Sequence, residues 1–259
     1  MNEKISEIIL EYRKRTEKEC CFINYSNEIP NILDDKIGGT PYLPIGEEYP
    51  KDKYGNPMAL LIQVNLSKLN IDGYPKGIFE LFVTTNENDL FGFEIEEGSF
   101  EIRFFEEELD YQTLLPEVKL ETFLINNPFK INFIKGKMNL PLQDSDAVNL
   151  LKNIYEEICE TKIINSDEIP QLFGVDDYWD LQMKVSGDDV FSSHIGGYAS
   201  FANDPDMNYS TDEGSFIYIS SDLDDVFKLG NAMCFYVLIS KEALRDKRFA
   251  EVTCNFEWS

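Results

Sequence analysis

Lys36-Ile37-Gly38-Gly39-Thr40 recurs as His194-Ile195-Gly196-Gly197-Tyr198, and this pair of stretches governs how the rest of the chain is read. After the first comes the apolar run Leu60-Leu61-Ile62-Gln63-Val64-Asn65. At a similar distance after the second comes Phe216-Ile217-Tyr218-Ile219-Ser220-Ser221. Each is followed by a glycine turn and an aromatic run, Gly77-Ile78-Phe79-Glu80-Leu81-Phe82-Val83 and Gly230-Asn231-Ala232-Met233-Cys234-Phe235-Tyr236-Val237. Three blocks in one order, displaced by about 155 residues, predict two homologous halves packed about a pseudo-twofold, over about 20–127 and 160–259.

Working outward, Ile5, Ile8, Ile9 and Tyr12 fall at three- and four-residue spacing and predict an N-terminal helix over 1–18 with one docked face. Runs rich in Leu, Ile, Val and Phe, bounded by Gly, Pro, Asn and Asp, predict strands over 58–66, 77–84, 90–95 and 100–105. Asn86 to Asp89 read as a hairpin loop and Glu97-Gly98 as a tight turn. The stretch 116–137 alternates apolar and polar residues. A cap at Asp144 or Ser145 opens a connecting helix over about 144–159, with Val148, Leu151, Ile154, Tyr155 and Ile158 inward. Residues 166–189 read as irregular, strands resume over 215–220 and 232–239, and a short helix at 241–245 precedes a last strand over 252–258. Few helices, not alternating regularly with strands, make the fold class α+β. Mainly antiparallel sheets carry the two pseudo-repeated halves as one globular unit.

The charge balance narrows the partners. Against 48 acidic side chains stand 23 basic ones and a single histidine, so the net charge is 23 − 48 = −25 at pH 7. That potential repels phosphate backbones and anionic headgroups, so nucleic acid and membrane surfaces are excluded as partners. An apolar fraction of 43% supports a core, so the acidity belongs to a folded surface. No apolar run approaches the ~18 residues of a membrane span, and residues 1–18 carry no leader-type apolar core. The expected location is the cytoplasm. Cys20, Cys21, Cys159, Cys234 and Cys254 lack CxxC spacing, and neighbours on a strand face opposite ways, so all five are expected to be buried, reduced thiols.

Gly38-Gly39-Thr40-Pro41, Tyr49-Pro50, Gln63-Val64-Asn65, Pro75 with Gly77, and His194-Ile195-Gly196-Gly197-Tyr198 together resemble the YwqG-like family of uncharacterised bacterial proteins. The resemblance runs from Lys36 to the C-terminus and implies a single domain over 1–259 with internal duplication. It implies no reaction. The second half departs from the family pattern at Ala199, Asn203, Tyr218, Ser220 and Leu229-Gly230-Asn231, which puts any shared polar site there in question.

The candidate ligand-binding residues are Lys36, Gly38, Gly39, Gln63, Asn65, His194, Gly196, Gly197 and Asn203. Paired glycines permit positive φ and either expose amides as an anion nest or simply bend the chain sharply; use of the device in both halves argues for architecture. His194, the lone imidazole, is either a base or a turn histidine bonded to backbone, and its repeat counterpart is the cation Lys36. Gln63 and Asn65 share one strand face, forming an amide-lined groove or meeting water.

Oxygen side chains alternate over 204–212, but Tyr209 and Ser215 stand where a calcium loop needs Gly and Glu, so no metal or other cofactor is expected. Adjacent carboxylates such as Asp188-Asp189 read as solvated surface. Trp179 reads as a half-buried loop aromatic or an interface anchor. These features lead to a non-enzymatic binding protein whose acidic surface recognises a basic protein or peptide, in one version an immunity or antitoxin protein. The alternative is an enzyme or small polar ligand-binding protein using a cleft between the halves.

Overall fold

The structure, a computed structural model, describes all residues except 1, 87–88, 90–97, 107, 114, 116–117, 119–126, 143–144, 199–212, 221–222, 224–231 and 259. The expected strand over 90–95, the alternating oxygens at 204–212, and Asn203 lie outside the described residues.

Helix α1 (Asn2–Thr16) leads into β1 (Lys18–Ser26), and β2 (Lys36–Ile37) ends at the first glycine pair. Then come β3 (Ala59–Asn65), β4 (Ile78–Val83), β5 (Phe100–Phe105) and β6 (Phe129–Met138). Helix α2 (Ser145–Cys159) connects to α3 (Ile169–Leu172) and α4 (Tyr178–Val185). The chain closes with β7 (His194–Gly196), β8 (Glu213–Ser220), β9 (Ala232–Ser240), α5 (Lys241–Arg245) and β10 (Thr253–Trp258). The 166–189 stretch is thus helical where the sequence reads as irregular. Asp177 caps α4 by accepting from the Asp180 amide, a signal that competing aromatic and acidic residues obscure.

All ten strands form one antiparallel sheet in the order β10-β9-β8-β7-β1-β6-β2-β3-β4-β5. The long β1–β6 pair, Lys18↔Met138 through Ser26↔Lys130, is its centre, with four strands on either side. The second strand out from that pair on each side carries a bulge, between Leu60 and Ile62 on β3 and between Ser215 and Ile217 on β8.

The sheet curls on itself. Six strand steps separate β4 from β8, roughly 29 Å in a flat sheet, yet the Phe79 and Phe216 rings meet edge to face at 4.7 Å. Phe100 likewise meets Phe235, and Phe104 meets Phe249. The main core, with Ile23, Ile62, Val64, Leu81, Ile195, Ile217 and Val237, fills the space between the wings. A second core holds the helices: Ile8 and Tyr12 of α1 pack with Leu151 and Ile154 of α2 and Leu181 of α4. Cys21 joins the main core, and Cys20 packs on Met138 on the other face, as strand alternation requires. The expectation that every thiol is buried holds for Cys20, Cys21 and Cys234; Cys159 and Cys254 are only partly covered.

Candidate functional site

The curled sheet leaves a cleft of about 660 Å³ where its two wings approach each other. It is lined by the start of β1 (Lys18, Glu19), the loop Ile71-Asp72-Gly73-Tyr74, Gly196-Gly197, Phe216, Ile239 and α5. Gly196 and Gly197 hold φ of 82° and 72°, a conformation that glycine adopts without strain. A Cβ on Gly196 would come within 3.2 Å of Ile71 Cδ1, the Glu19 carbonyl and the Tyr74 hydroxyl, so the missing side chain is what lets these segments close up. Ile71, Phe216, Ile239 and Leu244 make the interior apolar. Its charged lining is the half-buried Lys18 and the exposed Glu19, Asp72, Lys241, Glu242 and Arg245. An apolar interior of this volume with a few polar groups around it is what a ligand or a partner's side chain requires.

Lys36 and Gln63 belong to another place. Across the register Lys36↔Gln63↔Glu80↔Arg103, one polar row crosses β2, β3, β4 and β5 on the face away from the main core. The segment after Gly38-Gly39 covers that face, so Lys36, Gln63 and Glu80 are all but inaccessible. Lys36 Nζ donates to the Asn31 and Ile32 carbonyls at 2.9 and 2.6 Å. Gln63 accepts from the Tyr42 amide and donates to the Ile32 and Asp34 carbonyls. These side chains brace the loops around them, and the groove expected of Gln63 is closed by that covering segment.

Glu80 differs. Neither of its carboxylate oxygens has a hydrogen-bond donor. Burial pushes its pKa from 4.5 to about 8, against the opposing pull of Lys36, the Tyr42 amide and Arg103. Sequence reasoning passed over it, although one charge inside Ile78-Phe79-Glu80-Leu81-Phe82-Val83 was the available signal.

His194 is fully buried on β7, its ring stacked on Tyr218 at 5.1 Å. Nδ1 lies 2.6 Å from the Ser192 carbonyl and Nε2 lies 2.8 Å from the Tyr198 carbonyl. Both partners are acceptors, so the doubly protonated ring serves both while a neutral ring serves one. The ring thus clamps the chain on both sides of the second glycine pair. Three strand steps, roughly 14 Å, part it from Lys36. Replacing His194 by Gln leaves one carbonyl without its donor and is expected to cost about 1–2 kcal/mol, read as a melting-temperature drop of about 2–4 °C. An unchanged melting temperature would rule out the clamp.

Asn65 caps the turn that follows β3 by accepting from the Ser67 amide, and its own amide donates to Asp35. Gly38 and Gly39 bend the chain at φ of 71° and 80° beside Pro128. Of the residues singled out from the sequence, Gly196 and Gly197 reach the cleft. Tyr74, Phe216 and α5 join them; Phe216 opens one of the repeated blocks, and Tyr74 carries no local motif. Trp179 lies exposed on α4, stacked on Phe191 at 4.7 Å, rather than in a loop. Among the described residues no group of three or more His, Cys, Asp or Glu is placed to hold a metal, and no helix is long and apolar enough to cross a membrane.

The chain thus combines an antiparallel curled sheet, a glycine-walled cleft and a buried polar row. The chain belongs to the family described as a domain of unknown function (DUF1963), whose model matches residues 35–257, from the residue before β2 into β10. No curated protein matches it.

Proposed function

We propose that this chain is a non-catalytic recognition protein of the cytoplasm, which takes an apolar side chain of a basic partner protein into the cleft between two related halves. The cleft carries the reading: an apolar interior reached through a charged rim, built from segments far apart in sequence. The net charge of −25 attracts a cationic partner over distances of about a Debye length, ~10 Å, while the cleft supplies the short-range anchor. An immunity or antitoxin role toward a basic effector is the biological form that suits this charge.

Relatedness of the halves is supported by the strand order mirrored about β1–β6, the matched bulges and the two glycine pairs. Kinship with the YwqG-like proteins rests on the same blocks. Five free cysteines suit a reducing compartment. The enzymatic alternative needs Lys36, Gln63, Asn65 and His194 in one pocket. They sit apart, and the ionisable pair with shifted pKa values, Lys36 and Glu80, is shut away from the cleft.

The test is fluorescence anisotropy with labelled acetyl-Lys-Lys-Phe-Leu-Lys-Lys-amide and its counterpart with Glu in place of Lys. The basic peptide is expected to bind, at least about tenfold more weakly at about 200 mM than at about 20 mM salt, and to be lost with Asp72→Trp, which fills the exposed mouth. Equal binding of the acidic peptide, or of the basic one by Asp72→Trp, would refute the reading.

A further inference from the structure

Among the described residues, Tyr74 is the one neutral polar side chain lining the cleft. Its ring rests on Phe216 at 5.8 Å, and its hydroxyl lies 3.2 Å from where a Cβ on Gly196 would stand. Its backbone amide is taken by the Ile71 carbonyl, whereas no described residue hydrogen-bonds the hydroxyl. Three other tyrosines bond the main chain: Tyr12 donates to the Leu140 carbonyl, Tyr178 to the Ser166 carbonyl and Tyr198 to the Thr16 carbonyl. Burial, aided by the nearby Cys21 and Cys20, keeps the Tyr74 hydroxyl protonated far above neutral pH, so it stays a donor. Half-buried at the cleft wall, this hydroxyl is a donor that an acceptor on a ligand can take up.

We propose that the Tyr74 hydroxyl is the specificity-determining donor of the cleft, hydrogen-bonding an acceptor oxygen of a bound peptide segment beside its apolar anchor. This rests on the cleft being the recognition site. The occupant is a stretch of extended main chain: its side chain enters the apolar interior over Phe216, Ile239 and Leu244, and its carbonyl meets Tyr74. The net charge of −25 favours a cationic chain as that occupant. The donor then selects ligands that carry an oxygen next to the anchor, and purely hydrocarbon ligands lose by comparison.

Tyr74→Phe removes only the hydroxyl, and the measurement is again anisotropy with acetyl-Lys-Lys-Phe-Leu-Lys-Lys-amide. The variant is expected to bind about 5–20-fold more weakly. A peptide whose Phe-Leu amide is replaced by an ester, a poorer acceptor, is expected to bind wild type weakly and to discriminate less between the two proteins. The same peptide with a free C-terminal carboxylate separates the two sources of acceptor: a main-chain carbonyl leaves the wild-type-to-variant ratio unchanged, and a larger ratio overturns that assignment in favour of a chain terminus.

The melting temperature of unliganded Tyr74→Phe is expected to match or exceed wild type, and a clear fall would overturn the proposal by showing that the hydroxyl serves the fold. Unchanged peptide affinity in Tyr74→Phe, with binding still lost in Asp72→Trp, overturns the role of Tyr74 and leaves the cleft as the site. No binding of either peptide by wild type overturns both.

Discussion

Glu80→Gln is expected to be more stable than wild type at about pH 9 and close to it at about pH 5. A carboxyl that holds its proton more tightly folded than unfolded contributes stability that is complete below its unfolded pKa and is lost as pH rises through the folded one. For Glu80 that window runs from 4.5 to about 8. Lys36 acts in the opposite sense: burial lowers its pKa from 10.5 to about 8, so it weighs against the fold below about pH 8 and ceases to do so as pH rises toward 10.5. Gln keeps the shape and cannot ionise, so the variant escapes the decline below pH 8. It also withdraws the negative charge that helps Lys36 hold its proton. The gain expected at the alkaline end is about 1–3 kcal/mol, the extra cost of burying an unpaired carboxylate over a neutral amide. Urea midpoints for both proteins across this range read it directly, because the difference between them cancels the titration of the other carboxylates. Parallel curves would mean that Glu80 is ionised throughout, with partners supplied on folding.

Gly197→Ala is expected to destabilise by about 2–4 kcal/mol, the sum of a left-handed conformation forced on a residue with a Cβ and an overpacked contact. Its φ is 72°. The added methyl would collide with Met138 Sδ and lie 2.8 Å from Met138 Cγ and 3.2 Å from Cys20 Cβ. Met138 is itself buried between β1 and the turn, so it has little room to retreat. Thermal unfolding of the variant, alone and with Met138→Ala, separates the two costs: the collision is relieved by the smaller neighbour, and the backbone strain persists. Full stability in the single variant would show that the turn opens without cost.

Much of the fold was legible locally because its strands are short apolar runs punctuated by Gly, Pro and Asn. β4, β5, β8, β9 and α5 fall within a residue or two of where periodicity and turn chemistry set them. The glycine pairs were equally readable, since only glycine holds successive positive φ without strain. The helices α3 and α4 were not, because they span only one or two turns and their stability comes from packing on α1 and α2 rather than from local propensity. The candidate groove failed for a related reason. Gln63 and Asn65 do share a face, as alternation demands, but which faces meet water depends on the segment after Gly38-Gly39, and no pattern along β3 records that cover.

By itself, then, the sequence determined the acidic surface, the antiparallel α+β class and the two places where the chain must bend at glycine, because charge, periodicity and φ are properties of a residue and its near neighbours. Only the tertiary structure decided that ten strands form one sheet, that this sheet curls until Phe79 meets Phe216, and that the curl leaves a cleft where Tyr74 faces Gly196 while Glu80 is sealed away. Those outcomes depend on which surfaces, distant along the chain, exclude water against each other, and hydrophobic burial, being non-directional, leaves that choice to the packing of the whole.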